Sequence, residues 1–219
     1  MNQKSVYGWL LPKEDQHFEE YFSKSIELHN RRVYQPDHLD RCIFHINQNG
    51  KKNTTIDIGA HCGFWSYFLG LSFKKVYAFE PVDIFRECFK KNVPHPNVEL
   101  IPVALGNENS FVSMNVELEN TGATHVSSNT NDFNKVELKK LDDYKFTDID
   151  FIKIDVEGYE NQVVLGAKET LLRNKPIIIV EQKGFSDRFN ETQFEAVDTL
   201  KSYGAKVIDQ VAKDYILYW

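Results

Sequence analysis

The chain has 219 residues, of which 42% are hydrophobic, 13% aromatic and 26% charged, and a formal net charge of −6. That is room for one core-forming domain with a small addition; it excludes wholesale disorder and does not favour a nucleic-acid partner. Apolar runs such as Ile177-Ile178-Ile179-Val180 are too short to cross a membrane, and Cys42, Cys62 and Cys88 fit neither a disulfide framework nor a zinc site.

The first residues lack an apolar secretory core, so a soluble, cytoplasmic protein is expected. Residues 1–52 are predicted to be a helical extension. Residues 17–30 place Phe18, Tyr21, Phe22 and Ile26 on one helical face, and a second helix opening at Pro36-Asp37 carries Leu39, Cys42, Ile43 and Ile46 up to Asn49-Gly50. The aromatics Tyr7, Trp9, Phe18, Tyr21 and Phe22 suit core packing or stacking on a sugar.

From Asn53 the pattern changes, and residues 53–219 are predicted as one α/β domain. Strand 54–58, helix 64–73, strand 76–79, helix 83–92 and strand 98–103 alternate. A β-rich insertion of about 107–140 follows, in which Val112, Met114, Val116 and Leu118 have period two. Its polar part, 119–134, suits either a surface loop or a lid. Strand 151–154, a helix carrying Val163, Val164, Ala167 and Leu171, strand 177–180, helix 192–203 and a hairpin from 206–208 and 215–218 complete the chain. The fold class is α/β, with a doubly wound, mostly parallel sheet and an antiparallel C-terminal edge.

Three segments carry chemistry. Asp57-Ile58-Gly59-Ala60-His61-Cys62-Gly63 is a strand running through a glycine turn into a helix, which lets a ligand approach backbone. His61 stands where a dinucleotide fingerprint needs glycine, and Asp57 would repel a pyrophosphate. The charge therefore favours S-adenosylmethionine over a nicotinamide cofactor. Phe79-Glu80-Pro81 sets a carboxylate at the tip of the second strand, where this kind of fold holds a ribose diol. Finally, strand 151–154 delivers Asp155 and Glu157 at its C-terminal end, with Glu181 ending the next strand. Paired acids push one pKa upward and provide a candidate base. Glu160 suits a helix cap, and Glu157 suits either role. His125 is an alternative base. Asp155, Glu157 and Glu181 form an oxygen-only set compatible with a divalent metal, though no metal is predicted.

Taken in order, Asp57-Ile58-Gly59-Ala60 with Gly63, Phe79-Glu80-Pro81, Val103-Ala104-Leu105-Gly106, and residues 152–160 continuing to Leu165-Gly166 and 176–181 make the chain resemble the FkbM-type S-adenosylmethionine-dependent methyltransferases. The resemblance implies a seven-stranded Rossmann-like sheet and O-methylation of a sugar or other small-molecule or glycan hydroxyl, with S-adenosylhomocysteine as product. It assigns the methionine part of the cofactor to Asp57, Gly59, Ala60, His61 and Gly63, and the ribose to Glu80 and Pro81. Val103 and Ala104 would wall the adenine, Asp155 would also contact the cofactor, and Asp155 or Glu157 would act as base or substrate holder. His61-Cys62 departs from the small or polar residues expected there. Two other readings remain: a non-catalytic cofactor-binding module and a nicotinamide-dependent enzyme.

Overall fold

The computed structural model describes residues 2–127 and 134–219; part of the 119–134 segment thus lies outside the described residues. The chain opens on strands rather than helix: β1 (Gln3–Val6) and β2 (Trp9–Pro12) form an antiparallel hairpin with Val6 opposite Trp9. Its two-residue turn, Tyr7-Gly8, has φ of 46° and 89°, the positive pair that a twist-matched tight turn requires. The expected 17–30 helix stops early, as α1 (His17–Lys24), before the short antiparallel pair β3 (Glu27–Leu28) and β4 (Arg31–Arg32). Positive φ at His29 and Asn30 reverses the chain there. The second helix, α2 (Pro36–Asn49), is closed by Gly50 in the left-handed conformation.

The alternating units follow: β5 (Thr54–Ile58), α3 (Phe64–Ser72), β6 (Lys75–Phe79), α4 (Asp83–Asn92) and β7 (Val98–Ile101). Next come β8 (Ala104–Leu105), β9 (Ser110–Asn115), β10 (His125–Val126) and β11 (Lys135–Lys139), which make a separate four-stranded sheet in the order β10-β9-β11-β8. The chain then re-enters the main sheet at β12 (Ile149–Ile154). Where one helix was expected, α5 (Glu160–Gly166) and α6 (Lys168–Asn174) break at Ala167. The last elements are β13 (Ile177–Glu181), α7 (Glu195–Ser202), β14 (Lys206–Val211) and β15 (Asp214–Tyr218).

The main sheet has seven strands in the order β14-β15-β13-β12-β5-β6-β7. β12 pairs in parallel with β5 and β13, and β5-β6-β7 continue in parallel, whereas β15 runs antiparallel to β13 and β14. Both faces are covered, which explains the uninterrupted apolar strands. Phe151, Ile177 and Ile179 pack with Trp65, Phe68 and Phe73 of the α3 side. Ile152, Ile178 and Val180 pack with Val163, Leu171 and Leu200 from α5, α6 and α7.

The N-terminal hairpin belongs to the same core. Trp9 is fully buried, its ring 5.1 Å from Phe64, and its Nε1 donates to the Arg32 carbonyl at 2.7 Å. Buried Asn92 of α4 fastens it: its Oδ1 accepts from the Leu10 N–H at 2.8 Å, and its Nδ2 donates to the carbonyls of Leu10 and Cys62, each at 2.9 Å. Trp9 and Phe22 are therefore packing residues. Among the described residues, no helix is long and apolar enough to cross a membrane.

Candidate active site

The parallel strands end at one edge, and the turn after β5 is built for close approach. Gly59 has φ of 76°, and a Cβ there would stand 1.9 Å from the Asp155 carbonyl oxygen, so only glycine lets β5 and β12 finish side by side. The N–H groups of Gly59 and Ala60 both donate to the Phe79 carbonyl, at 3.1 and 3.0 Å, and the Asp155 N–H donates to Ile58 O at 3.2 Å. Three strand ends are thereby locked together.

Asp57 lies beneath this turn and does not line the cavity. It is fully buried, its Oδ2 accepting from Ser66 Oγ at 2.6 Å and its Oδ1 lying 3.4 Å from Lys153 Nζ. Lys153 also donates to the Gly59 carbonyl at 3.2 Å and pairs with Asp155 at 3.6 Å. Burial alone would depress the Lys153 pKa, but Asp155 and Asp57 outweigh it and hold the ammonium charged. Lys153 is a site residue that no motif in the sequence singles out. The signal was present: a lysine inside an apolar run must be paired when that strand is buried on both faces.

Beyond β12, Glu160 Oε1 reaches back to the N–H groups of Val156 and Gly158, at 3.1 and 3.0 Å, which makes it a structural residue of the turn. Asp155 and Glu157 face the cavity, and with Glu181 they bring carboxylate oxygens within 4.8 Å of one another. Burial raises all three, but for Asp155 the charges of Lys153 and Lys183 prevail and lower its pKa. Glu157 goes the other way. Burial and the Asp155 charge push it up to about 7 against the pull of Lys183.

The cavity encloses about 850 Å³ including its mouth and runs along the sheet edge from Glu80 to Glu157. Gly59, Ala60 and His61 form one side; Pro81, Val103 and Ala104 form an apolar slot. Glu80 accepts from the His61 and Val82 N–H groups, one per oxygen, each at 2.8 Å, which leaves each oxygen a second lone pair. Burial raises the Glu80 pKa to about 7. The His61 ring sits 4.1 Å from Phe85 and 5.1 Å from Phe18, neutral because burial lowers its pKa to about 3. Its two ring nitrogens are buried without a hydrogen bond of good geometry, as a polar ligand in the cavity would require. Gly63 begins α3 and packs on Val93 of the α4 side, away from the cavity. His125 binds the Ala123 carbonyl through Nδ1 at 2.8 Å and does not line the cavity either. The base role considered for it has no geometric support.

A two-part cover closes the outer side. Phe18 and Tyr34 come from the N-terminal segment, and Met114, Thr121 and Thr124 from the insertion. Buried Asp15 clasps them. Its Oδ1 accepts from the Phe18 N–H at 2.8 Å, and its Oδ2 from the Thr121 N–H at 3.1 Å and from the Thr121 hydroxyl. Asp15→Ala would leave those donors buried and unpaired, so a loss of about 1–3 kcal/mol is expected, read as a shifted urea midpoint. An unchanged midpoint would show the clasp to be energetically idle.

The donor set suits a ligand with a flat apolar ring, a vicinal diol and a cationic end. A family model described as "Methyltransferase FkbM domain" matches residues 57–207, more than half of the chain. Among solved structures, the chain is similar to methyltransferase FkbM from Methylobacillus flagellatus KT, with 16% identity and a TM-score of 0.52 over 76% of this chain. It spans 43% of that protein's length. It is also similar to an O-methyltransferase from Bacillus cereus solved with SAH, with 14% identity and a TM-score of 0.50 over 84% of this chain and 80% of that one. At such identities the structures speak for the fold, a Rossmann-like class I methyltransferase sheet. No curated protein matches the chain.

Proposed function

Since the chain belongs to the FkbM methyltransferase family, whose cofactor is S-adenosylmethionine, we propose that it methylates a hydroxyl on a sugar or other small-molecule or glycan acceptor. One observation carries this reading: a single cavity joins an apolar slot and a buried carboxylate at one end to a pair of acids of divergent pKa at the other. S-adenosylmethionine, when bound, supplies a methyl carbon activated by a cationic sulfur.

The chain's own residues divide the remaining work. Val103, Ala104 and Pro81 give the adenine an apolar slot, and the spare lone pairs of Glu80 receive the ribose hydroxyls. The Gly59–Ala60 backbone and the His61 ring border the methionine part. Asp155, ionised, offers negative charge to the cationic end, so it serves as an electrostatic partner. Glu157, with a pKa near neutrality, accepts the acceptor's proton. Tyr34 puts an aromatic ring beside the acids, and ring plus carboxylates suit a polyol. The net charge of −6 argues against a nucleic-acid acceptor.

Calorimetry with S-adenosylmethionine and S-adenosylhomocysteine tests the premise, and the absence of binding to either would end this reading. Glu80→Ala is expected to weaken both ligands at least ~10-fold, by loss of charge-assisted hydrogen bonds. Methyl transfer to a panel of mono- and oligosaccharides tests the acceptor class. Binding without turnover on any acceptor would favour the non-catalytic alternative.

A pH dependence follows as well. Glu157 is active when deprotonated, and its raised pKa is about 7, so kcat/KM should rise with pH through about 7 and level off above. A flat profile from pH 5 upward would remove Glu157 from the base role.

A further inference from the structure

The trio Asp155, Glu157 and Glu181 has the oxygen chemistry of a divalent-cation site, yet a cation of the chain's own already stands among them. Lys183, two residues beyond the end of β13, forms an ion pair with Glu181 and another with Glu157 at 3.5 Å. Its side chain is one-third exposed, and its ammonium stands against Glu157, which lines the cavity. Burial would lower its pKa, but Asp155, Glu181 and Glu157 overcome that and raise it far above the ordinary lysine value. It is therefore a permanent charge and cannot itself be a base. Tyr34 and Asp214 close the surroundings. The Tyr34 phenol feels Asp155 and Lys183, and Asp214 faces Glu181 across the β13–β15 pairing with His38 at 3.4 Å.

An ammonium in that place has two consequences. A dication entering the trio would be set beside a fixed positive charge, with its ligand oxygens already engaged. The ammonium also has three N–H donors, and the two carboxylates account for two. The third is left over beside Glu157, where an acceptor oxygen would lose its proton.

We propose that Lys183 is the resident cation of the acceptor site: its ammonium holds the acceptor oxygen beside Glu157 and does the work that a divalent metal would do in such an acid trio. This rests on the methyltransferase reading. In that step the hydroxyl gives its proton to the Glu157 carboxylate and a lone pair to the methyl carbon. The C–S bonding pair stays on sulfur, which becomes a neutral thioether, and Lys183 stabilises the negative charge that builds on oxygen.

The test uses the whole chain, in wild type, Lys183→Met and Lys183→Arg, with Mn²⁺ as the metal probe followed by electron paramagnetic resonance, and turnover in EDTA or Mg²⁺. Wild type should bind no Mn²⁺ and keep its rate in EDTA. Lys183→Met should lose at least ~10-fold in kcat with cofactor affinity unchanged, and should acquire a Mn²⁺ site. Lys183→Arg, keeping the charge, should retain most turnover and remain free of Mn²⁺. Loss of wild-type activity in EDTA with recovery in Mg²⁺ would overturn the proposal. So would a Lys183→Met protein that turns over like wild type, or one that folds normally by circular dichroism and takes up no Mn²⁺. Failure of the underlying reading is separable: it would appear as absent cofactor binding in wild type, whereas the Mn²⁺ measurement needs no turnover.

Discussion

Lys153→Met is expected to destabilise the protein by about 3–5 kcal/mol, the cost of stranding buried charge. The ammonium joins Asp57, Asp155 and the Gly59 carbonyl; Asp57 lies on β5 and Asp155 directly follows β12, the neighbouring strand in the middle of the sheet. Methionine matches the length of the side chain and leaves Asp57 with Ser66 alone. The pH dependence of this loss can be signed. Lys153 has a raised folded pKa, so its contribution is present below the unfolded value and lost only as pH rises through the folded one. Asp155 has a lowered pKa, so its part is present above its unfolded value and lost toward acid. The deficit should therefore be level between about pH 6 and 9. Urea melts would measure it, and Lys153→Met combined with Asp57→Asn should recover part of the loss. An unaltered midpoint would mean that the charges relax into water instead.

The second large effect is catalytic. Glu157→Gln should lower kcat by ~10²–10⁴-fold, the range for a well-placed general base, with cofactor affinity nearly intact. The same variant should lose the rise in kcat/KM near pH 7. Asp155→Asn is distinguishable: as a partner of the cationic end, Asp155 should show in cofactor affinity as well as in rate. If Glu157→Gln kept both its rate and its pH profile, proton acceptance would have to lie elsewhere on the rim.

The sheet was legible where residues report directly on burial. Thr54–Ile58, between Asn53 and Gly59, and the run at 177–180, between Pro176 and Glu181, are rich in β-branched residues, and the strands fall within a residue of these bounds. The C-terminal hairpin was readable from the short gap between its strands. The N-terminus was not. Strands of four residues joined by Tyr7-Gly8 carry too little periodicity, and the hairpin is stabilised by Asn92 and Phe64, far away in sequence. The break at Ala167 is hidden in the sequence because the apolar spacing continues through it into α6.

The site shows the same division. Gly59, Glu80, Asp155 and Glu157 are set by strand ends and a local turn, so their grouping could be inferred from spacing. Lys153, Lys183, Tyr34 and Asp15 enter through pairing across the fold, which spacing does not encode. Asp57 has the right type and position in the chain, but its side chain points below the turn, to Ser66 and Lys153. That orientation depends on which face of β5 meets α3.

The Asp15–Thr121 clasp has a consequence for transplanting specificity between relatives. The family match begins at residue 57, so one half of the clasp lies within the shared domain and the other half outside it. A chimera that imported a foreign insertion alone would bring new wall residues to an N-terminal partner shaped for Thr121. One that exchanged only the first fifty residues would leave Thr121 facing a stranger. The two segments, about a hundred positions apart, form a single exchangeable cassette, and acceptor preference should move only when both are moved together.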